Sequence, residues 1–355
     1  MSRFFSSKFS ALEAYTPGEQ PKDMKYVKLN TNESPFPPSP KAIEYASRAA
    51  ESLQLYCDPE CTRLTEEFSK LYGIKKGEVL FTNGSDDALN FCFSAFCDDE
   101  TPAVFANITY GFYPVFAQMN RVPFTEIPLN KDFTINVDDY VGINKTVFIA
   151  NPNAPTGIAL PLSDIERILQ SNPDNIVVID EAYVDFGAQS AVGLIHKYDN
   201  LIVTQTFSKS RSLAGGRLGM AIANSSLIRD LNTLKYSTNP YNVSSMTQAA
   251  GVGTILDDDY TKRNCAAIAE NRGYLTNKLE ELGFTHTPSV SNFVFAKHPK
   301  LDGGELYIKL KERGVLIRHF TKEKIRDYNR ITVGTKEQLD ILLQNIKEIL
   351  QEARA

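Results

Sequence analysis

The sequence predicts an α/β protein: a large domain on a mainly parallel central sheet flanked by helices, followed by a smaller α+β domain. Three observations predict this. From about residue 78, short runs apolar at nearly every position recur along the chain. Such runs indicate strands buried on both faces. Helical patterns lie between them, as parallel strands require. After about residue 285 the texture changes to short strands around two helical patterns.

The elements follow in order. The first forty residues, with "YTPGEQP" and "LNTNESPFPPSP", read as an extended arm and loops. Two helical patterns come next, "KAIEYASRAAESL" and "TRLTEEFSKLYG", the second stopped by Gly73. The apolar runs are "VLFT" (79–82), "AVFA" (103–106), "TVFIA" (146–150), "IVVID" (176–180), "LIVTQTF" (201–207) and "LGMAIA" (218–223). Long helices are expected over 243–282. The last part offers "NFVFAK", a helix "GGELYIKLKERG", "VLIR", "RITVG" and a final helix over 336–352. The expected division is therefore an arm with loops (1–40) joining the small domain, a large domain (41–284) and a small domain (285–355).

Composition narrows the function. The 355 residues carry a net charge of −5, with 42% hydrophobic and 23% charged residues. A general nucleic-acid binder or a binder of anionic membranes is not expected from that balance. No apolar stretch approaches the length of a membrane span, and the N-terminus lacks a signal-peptide core. The five cysteines form no CxxC pair, which suggests reduced thiols and a cytoplasmic location. The four histidines are scattered without metal-site spacing, so no metal is expected.

Ligands of open α/β sheets sit beyond the carboxyl ends of the strands, so the residues after each run matter most. "VLFT" is followed by Gly84, Ser85 and Asp86 at the start of a helix. Free backbone N–H groups there suit a phosphate, although, taken alone, the segment is better explained by plain helix capping by Ser85 or Asp86. Asp180 ends a buried run; a carboxylate there needs donors or a cation, either a structural partner or a protonated ring nitrogen. Lys209 ends another run. In a low-dielectric crevice its amine loses proton affinity and becomes a nucleophile able to join an aldehyde, unless it snorkels to solvent. Arg217, after Gly215 and Gly216, is a natural phosphate ligand. An amine for an aldehyde, an acid for a pyridine nitrogen and a cup for a phosphate match pyridoxal 5′-phosphate.

The ordered set "NGSDD", "NPNAPTG", "IDEAY", "TFSKSRSLAGGRLG" and "RITVG" resembles a fold-type I pyridoxal-phosphate aminotransferase, and "KLNTNESPFPPSP" with the overall spacing is most similar to its histidinol-phosphate branch. The resemblance runs from about residue 15 to 350. It implies that Lys209 carries the cofactor and shuttles a proton, that Asp180 pairs with the ring nitrogen, and that Tyr183 bonds the ring oxygen. Tyr110 would stack on the ring, unless it is a core aromatic. Gly84, Ser85, Asp86, Thr206, Ser208 and Arg217 would hold the phosphate, with the Asp86 and Asp87 carboxylates turned away from it. Arg330 and Arg318 would bind the substrate's anionic groups, Arg318 being otherwise a solvated charge, with Tyr15 adding a hydroxyl. Tyr56 would reach the cofactor phosphate of a second subunit, which implies a homodimer with shared sites.

Two departures stand out. The asparagine expected directly before Pro155 is Ala154 here, which leaves Asn153, or else Asn151, for the ring contact. The arginine often found before the Tyr56 position is Leu55. The implied reaction is amino transfer from a small-molecule donor to a 2-oxo acid, with histidinol phosphate and 2-oxoglutarate as the pair. The alternatives are an aromatic-amino-acid aminotransferase and a threonine-phosphate decarboxylase-like enzyme.

Overall fold

The apolar runs assemble into one seven-stranded sheet. The computed structural model describes residues 2–10 and 12–353. From the N-terminus, β1 (Val27–Lys28) precedes helices α1 (Pro40–Ala49) and α2 (Thr62–Tyr72). The sheet region then runs β2 (Val79–Thr82), α3 (Ser85–Phe96), β3 (Ala103–Ala106), α4 (Tyr113–Asn120), β4 (Phe124–Ile127), β5 (Thr146–Ala150), α5 (Leu162–Ser171), β6 (Val177–Asp180), β7 (Leu201–Thr206) and β8 (Gly219–Ala223). Helices α6 (Ser225–Thr238), α7 (Ser245–Ile255) and α8 (Asp258–Glu281) follow. The chain closes with β9 (Thr285–His286), β10 (Phe293–Lys297), α9 (Gly303–Glu312), β11 (Val315–Leu316), β12 (Arg318–His319), β13 (Asn329–Thr332) and α10 (Lys336–Glu352).

The large sheet has the order β2-β8-β7-β6-β5-β3-β4. Only β8 runs against its neighbours; β7-β6-β5-β3-β4 are parallel. Alternation along each strand splits the core in two. Val147 and Ile149 face one side with Leu64, Phe68, Ile165 and Ile168. Phe148 and Ala150 face the other with Leu89, Phe93, Phe116 and Leu231. Each fully buried side chain of this size contributes about 1.5–3 kcal/mol relative to exposure. The apolar-run signal misses β4, an edge strand whose Phe124, Thr125 and Glu126 are exposed.

A second core gathers around the four-stranded antiparallel sheet β12-β13-β10-β9. It reaches back before residue 285, since Cys265, Ile268, Leu275 and Leu279 of α8 pack into it. The arm joins this region as well, because β1 pairs with β11 in parallel. The arm, the small sheet and the carboxyl ends of the large sheet thus converge. All five cysteines are free thiols, and no helix among the described residues is long and apolar enough to cross a membrane.

Candidate active site

Beyond the ends of β2, β6 and β7 lies a cavity of about 110 Å³ lined by Ser85, Asp86, Tyr110, Asp180, Tyr183, Thr206, Ser208, Lys209 and Arg217, among others. The strand order puts these residues together. Asp180 is the last residue of β6 and stands in register with Thr204 of the neighbouring β7, while Thr206 ends β7 and faces Gly219 of β8. Residues 180, 183, 206 and 209 therefore meet at one edge, although they span thirty positions of sequence.

One wall is the start of α3. Its N-cap is Gly84, at φ +82°, and no side chain caps the helix. The first-turn N–H groups are left for a ligand, and the helix dipole favours an anion there. Two glycines make this packing possible. A Cβ on Gly84 would stand 2.5 Å from Arg217 Nη2, and one on Gly219 would stand 2.1 Å from the Ser85 backbone nitrogen. Arg217 adopts a left-handed backbone (φ +51°) and sends its guanidinium across this wall. Its Nη1 lies 3.5 Å from Ser208 Oγ. The Thr206 hydroxyl accepts from the Ser208 N–H at 3.1 Å and braces the turn after β7.

Asp86 departs from expectation. Its carboxylate turns into the site instead of capping the helix. Oδ2 pairs with Arg217 Nη2 at 3.0 Å and Oδ1 accepts the Tyr110 hydroxyl at 2.7 Å. A guanidinium and a phenol within reach outcompete backbone amides for a carboxylate. Asp87 does turn away, taking the Asn83 N–H at 3.2 Å.

Asp180 is 5% exposed and accepts hydroxyl protons from Thr204 and Tyr113, each at 3.0 Å. Burial pushes its carboxyl up to about 6 against the pull of those two donors. A cation placed beside it would restore the charged form. Lys209 reaches the Thr31 carbonyl at 3.3 Å. Burial, with Arg330 adding repulsion, lowers its amine to about 8, so about a tenth of it is neutral at pH 7, far more than for a free lysine. The segment around it is anchored from below: Ser210 Oγ donates to Asp185 Oδ2 at 2.5 Å, and Arg211 Nη1 donates to the same oxygen at 2.9 Å.

Tyr183 lines the cavity, packs edge-on against Phe293 at 5.0 Å and accepts the Asn32 amide at 3.0 Å. Asn153 does not reach the cavity, whose wall at this point is Ala154. Its Nδ2 donates to Ile108 O and Thr156 Oγ1, and its Oδ1 accepts from Thr109. Local loop hydrogen bonds have claimed every polar atom of that side chain. Asn151 is likewise tied to Leu160 in both directions.

The residues expected on the substrate side come from the small sheet and the arm. Arg330, on β13, donates to the Asn30 carbonyl at 3.0 Å, beside the carbonyl that meets Lys209, and lies against the rings of Phe293 and Phe320. Arg318 approaches the carbonyls of Thr16 and Pro17. Among the described residues neither arginine has a carboxylate within 4.0 Å, although the charge of Arg318 acts on Glu19. Tyr15 stacks on Phe112 at 4.1 Å and faces Arg330. Tyr56 is 84% exposed and stacks on Tyr241 at 4.5 Å, away from its own chain's cavity.

Sequence reasoning missed Tyr113, Thr204 and Asn32. Thr204 was within reach, because a parallel β6–β7 pairing sets it beside Asp180. Tyr113 and Asn32 arrive from other elements, and no local spacing announces them.

The arrangement supplies a buried carboxylate for a cationic ring, a nucleophilic amine and an anion cup, all around one cavity. These residues fit pyridoxal 5′-phosphate. The family model for class I and II aminotransferases matches residues 24–346. A histidinol-phosphate aminotransferase of Brachyspira hyodysenteriae is 46% identical over 99% of this chain and 100% of its own length. One from Acinetobacter baumannii is 48% identical over 98% of this chain and 97% of its own. Among solved structures, histidinol-phosphate aminotransferase from Sinorhizobium meliloti in complex with pyridoxal-5′-phosphate shares the fold, with a TM-score of 0.89 at 22% identity over 99% of each chain. The chain belongs to the class I and II aminotransferases, enzymes that work with pyridoxal 5′-phosphate.

Proposed function

We propose that the protein transfers an amino group between histidinol phosphate and 2-oxoglutarate, in histidine biosynthesis. The observation that carries this reading is Arg330, buried without a carboxylate partner and close enough for its charge to act on Lys209 and Tyr183 of the cavity, with Arg318 near enough to repel it. Both the phosphate of one substrate and the carboxylates of the other need such cations. Relatives nearly half identical over the full length carry the histidinol-phosphate name.

Pyridoxal phosphate, when bound, supplies an aldehyde that takes up the amino group and a ring that accepts the electrons freed at the substrate's Cα. The α3 N-terminus, Thr206, Ser208 and Arg217 hold its phosphate, and Asp86 remains beside them through Tyr110 and Arg217. Asp180, ionised by the cation it meets, keeps the ring nitrogen protonated. Tyr183 donates to the ring oxygen. Lys209 Nζ holds the cofactor between turnovers. As a free amine, the same Nζ would take the substrate's Cα proton and give it back. Arg330, Arg318 and Tyr15 would grip the anionic end of the substrate and so hold its Cα–H bond for Lys209. The keto product leaves before the 2-oxo acid enters the same site.

The reading includes a homodimer. Tyr56, with exposed Leu53 and Leu55 beside it, projects from the surface and serves the phosphate of the neighbouring subunit. It also places the protein in the cytoplasm, where unpaired thiols persist.

A panel of histidinol phosphate, phenylalanine and phosphothreonine, each with 2-oxoglutarate, tests the assignment. Histidinol phosphate is expected to give the highest kcat/KM, with glutamate and a phosphorylated ketone as products. A clear preference for phenylalanine, or release of CO₂ from phosphothreonine, would replace it with one of the alternatives.

A further inference from the structure

Ala154 leaves the site one donor short. The family resemblance calls for an amide directly before Pro155, and this chain has a methyl group there. The amide that reaches the pocket tyrosine comes instead from the arm. Asn32 is 1% exposed and sits in the left-handed region at φ +55°, which asparagine tolerates better than most residues. Four hydrogen bonds fix it. Its backbone N–H donates to Thr332 Oγ1 at 2.9 Å, and its carbonyl accepts from Asn292 Nδ2 at 2.9 Å. Its side-chain Oδ1 accepts from the Thr332 hydroxyl at 3.1 Å, and its Nδ2 donates to the Tyr183 hydroxyl at 3.0 Å.

The direction of this chain of bonds follows from counting protons. Thr332 is buried, and its oxygen already accepts the Asn32 N–H. Its one proton must go to an acceptor, and Asn32 Oδ1 is the atom facing it. That orients the carboxamide: oxygen to Thr332, NH₂ to Tyr183. The phenol oxygen is then occupied as an acceptor, which leaves its single proton free to point into the cavity that Tyr183 lines. Burial raises the phenol above its usual range, so the proton stays on the oxygen.

We propose that Asn32 is a positioning residue: held by Thr332, it aims the Tyr183 proton at the cofactor's ring oxygen, at a site where Ala154 offers no donor of its own. The inference rests on the cofactor reading above. The relay starts on β13, the strand that also carries Arg330 two residues away on the same face. The grip on the substrate's anion and the orientation of the phenol therefore share one strand.

The test is a pH titration of the visible absorption band of the cofactor-loaded protein. A donor on the ring oxygen favours its anionic form and lowers the midpoint. Asn32→Gly keeps the left-handed backbone and removes the amide. Asn32→Asp keeps the shape and offers only acceptors, so the phenol proton turns away from the cavity. The charged groups facing Tyr183 are Arg330, Asp180 and Asp86; those facing Lys209 are Arg330, Glu33, Asp86 and Arg217. Asn32→Gly, Thr332→Val and Thr332→Ser alter none of these; Asn32→Asp adds a carboxylate beside the phenol, and the Tyr183→Phe background measures its direct charge effect. The midpoint is expected to rise by about one pH unit in Asn32→Asp, the worth of one hydrogen bond to a charged group. Asn32→Gly and Thr332→Val are expected to rise less, and Thr332→Ser to match the parent. In a Tyr183→Phe background the Asn32→Asp shift is expected to shrink markedly. The proposal is overturned if Asn32→Gly and Thr332→Val titrate like the parent, or if Asn32→Asp shifts equally with Phe at 183. Should the Asn32 variants not fold, the Thr332→Val and Thr332→Ser pair decides. A parent protein that shows no visible band with the cofactor would overturn the functional reading instead.

Discussion

Asp86 and Arg217 form an ion pair at 3.0 Å against the wall of the cavity, and the second oxygen of Asp86 holds the Tyr110 hydroxyl at 2.7 Å. The cation assigned to the cofactor's phosphate is therefore already engaged by an anion. The carboxylate pre-orients the guanidinium, but it also opposes a second negative charge beside it.

That opposition has a measurable size. Asp86→Asn keeps the link to Tyr110 and removes the charge. The dissociation constant for pyridoxal phosphate is expected to fall about tenfold, or ~1.4 kcal/mol, in equilibrium titrations at low salt. Arg217→Met is expected to weaken binding by about a hundredfold or more, since it removes a bidentate donor to phosphate. An Asp86→Asn protein that binds more weakly would show that orienting the arginine outweighs repelling the phosphate.

Asp180 carries a cost in the cofactor-free protein. Its carboxyl is raised to about 6 by burial, so the folded state binds the proton more tightly than the unfolded chain does. This contribution is present below the unfolded value near 4 and is lost as pH rises through about 6. At pH 7.5 the loss is roughly 3 kcal/mol, since each tenfold gain in proton affinity on folding corresponds to about 1.4 kcal/mol. Cofactor-free Asp180→Asn should then melt higher than the parent at pH 7.5, and the gap should narrow toward pH 5. The Thr204 and Tyr113 hydroxyls can turn to suit an amide. Amino transfer should nevertheless fall by orders of magnitude. Melting curves at two pH values check the first part, and a variant less stable at pH 7.5 speaks against it.

Gly219 tests the packing of the phosphate wall. A methyl group there meets the Ser85 nitrogen at 2.1 Å and the Gly84 carbonyl carbon at 2.3 Å, both backbone atoms. Gly219→Ala is expected to destabilise by about 1–3 kcal/mol and to weaken cofactor binding, because the α3 N-terminus must shift. Chemical denaturation read alongside cofactor titration separates the two effects. Unchanged cofactor affinity would mean that the helix terminus does not hold the phosphate.

Tyr56 tests the shared site. Tyr56→Phe removes one hydroxyl from an exposed ring, so the stability of the isolated fold should hardly change. If a neighbouring subunit supplies this hydroxyl to the phosphate, cofactor affinity should drop by about tenfold, the size of one charge-assisted hydrogen bond. Sedimentation should show a dimer in both proteins. A monomeric parent with full activity would dismiss the intersubunit role.

Much of this was legible in the sequence because the large sheet is buried on both faces. Its inner strands are largely apolar runs, and two of them lead directly into polar residues of the cavity: Asp180 after "IVVI", Lys209 after "LIVTQTFS". The edge strand β4 escaped notice because three of its four residues are exposed. Within the site, what failed were orientations. Asn153 stands beside the expected position, yet its amide is consumed by Ile108, Thr109 and Thr156. Asp86 faces the cavity because Arg217 and Tyr110, distant in sequence, arrive within hydrogen-bond reach. Asn32 lies 151 positions from the tyrosine it touches. Spacing along a chain specifies which residues end a strand; which way a short polar side chain turns depends on partners that only the folded chain brings near.

The central claim is that Lys209 is the covalent anchor of the cofactor. The most direct measurement is borohydride reduction of the pyridoxal-phosphate-loaded protein, followed by digestion and mass spectrometry of the peptides. One adduct is expected, on the peptide that contains Lys209, and none on the Lys209→Ala protein treated alike. An adduct on a different lysine, or its persistence after Lys209→Ala, would contradict the account.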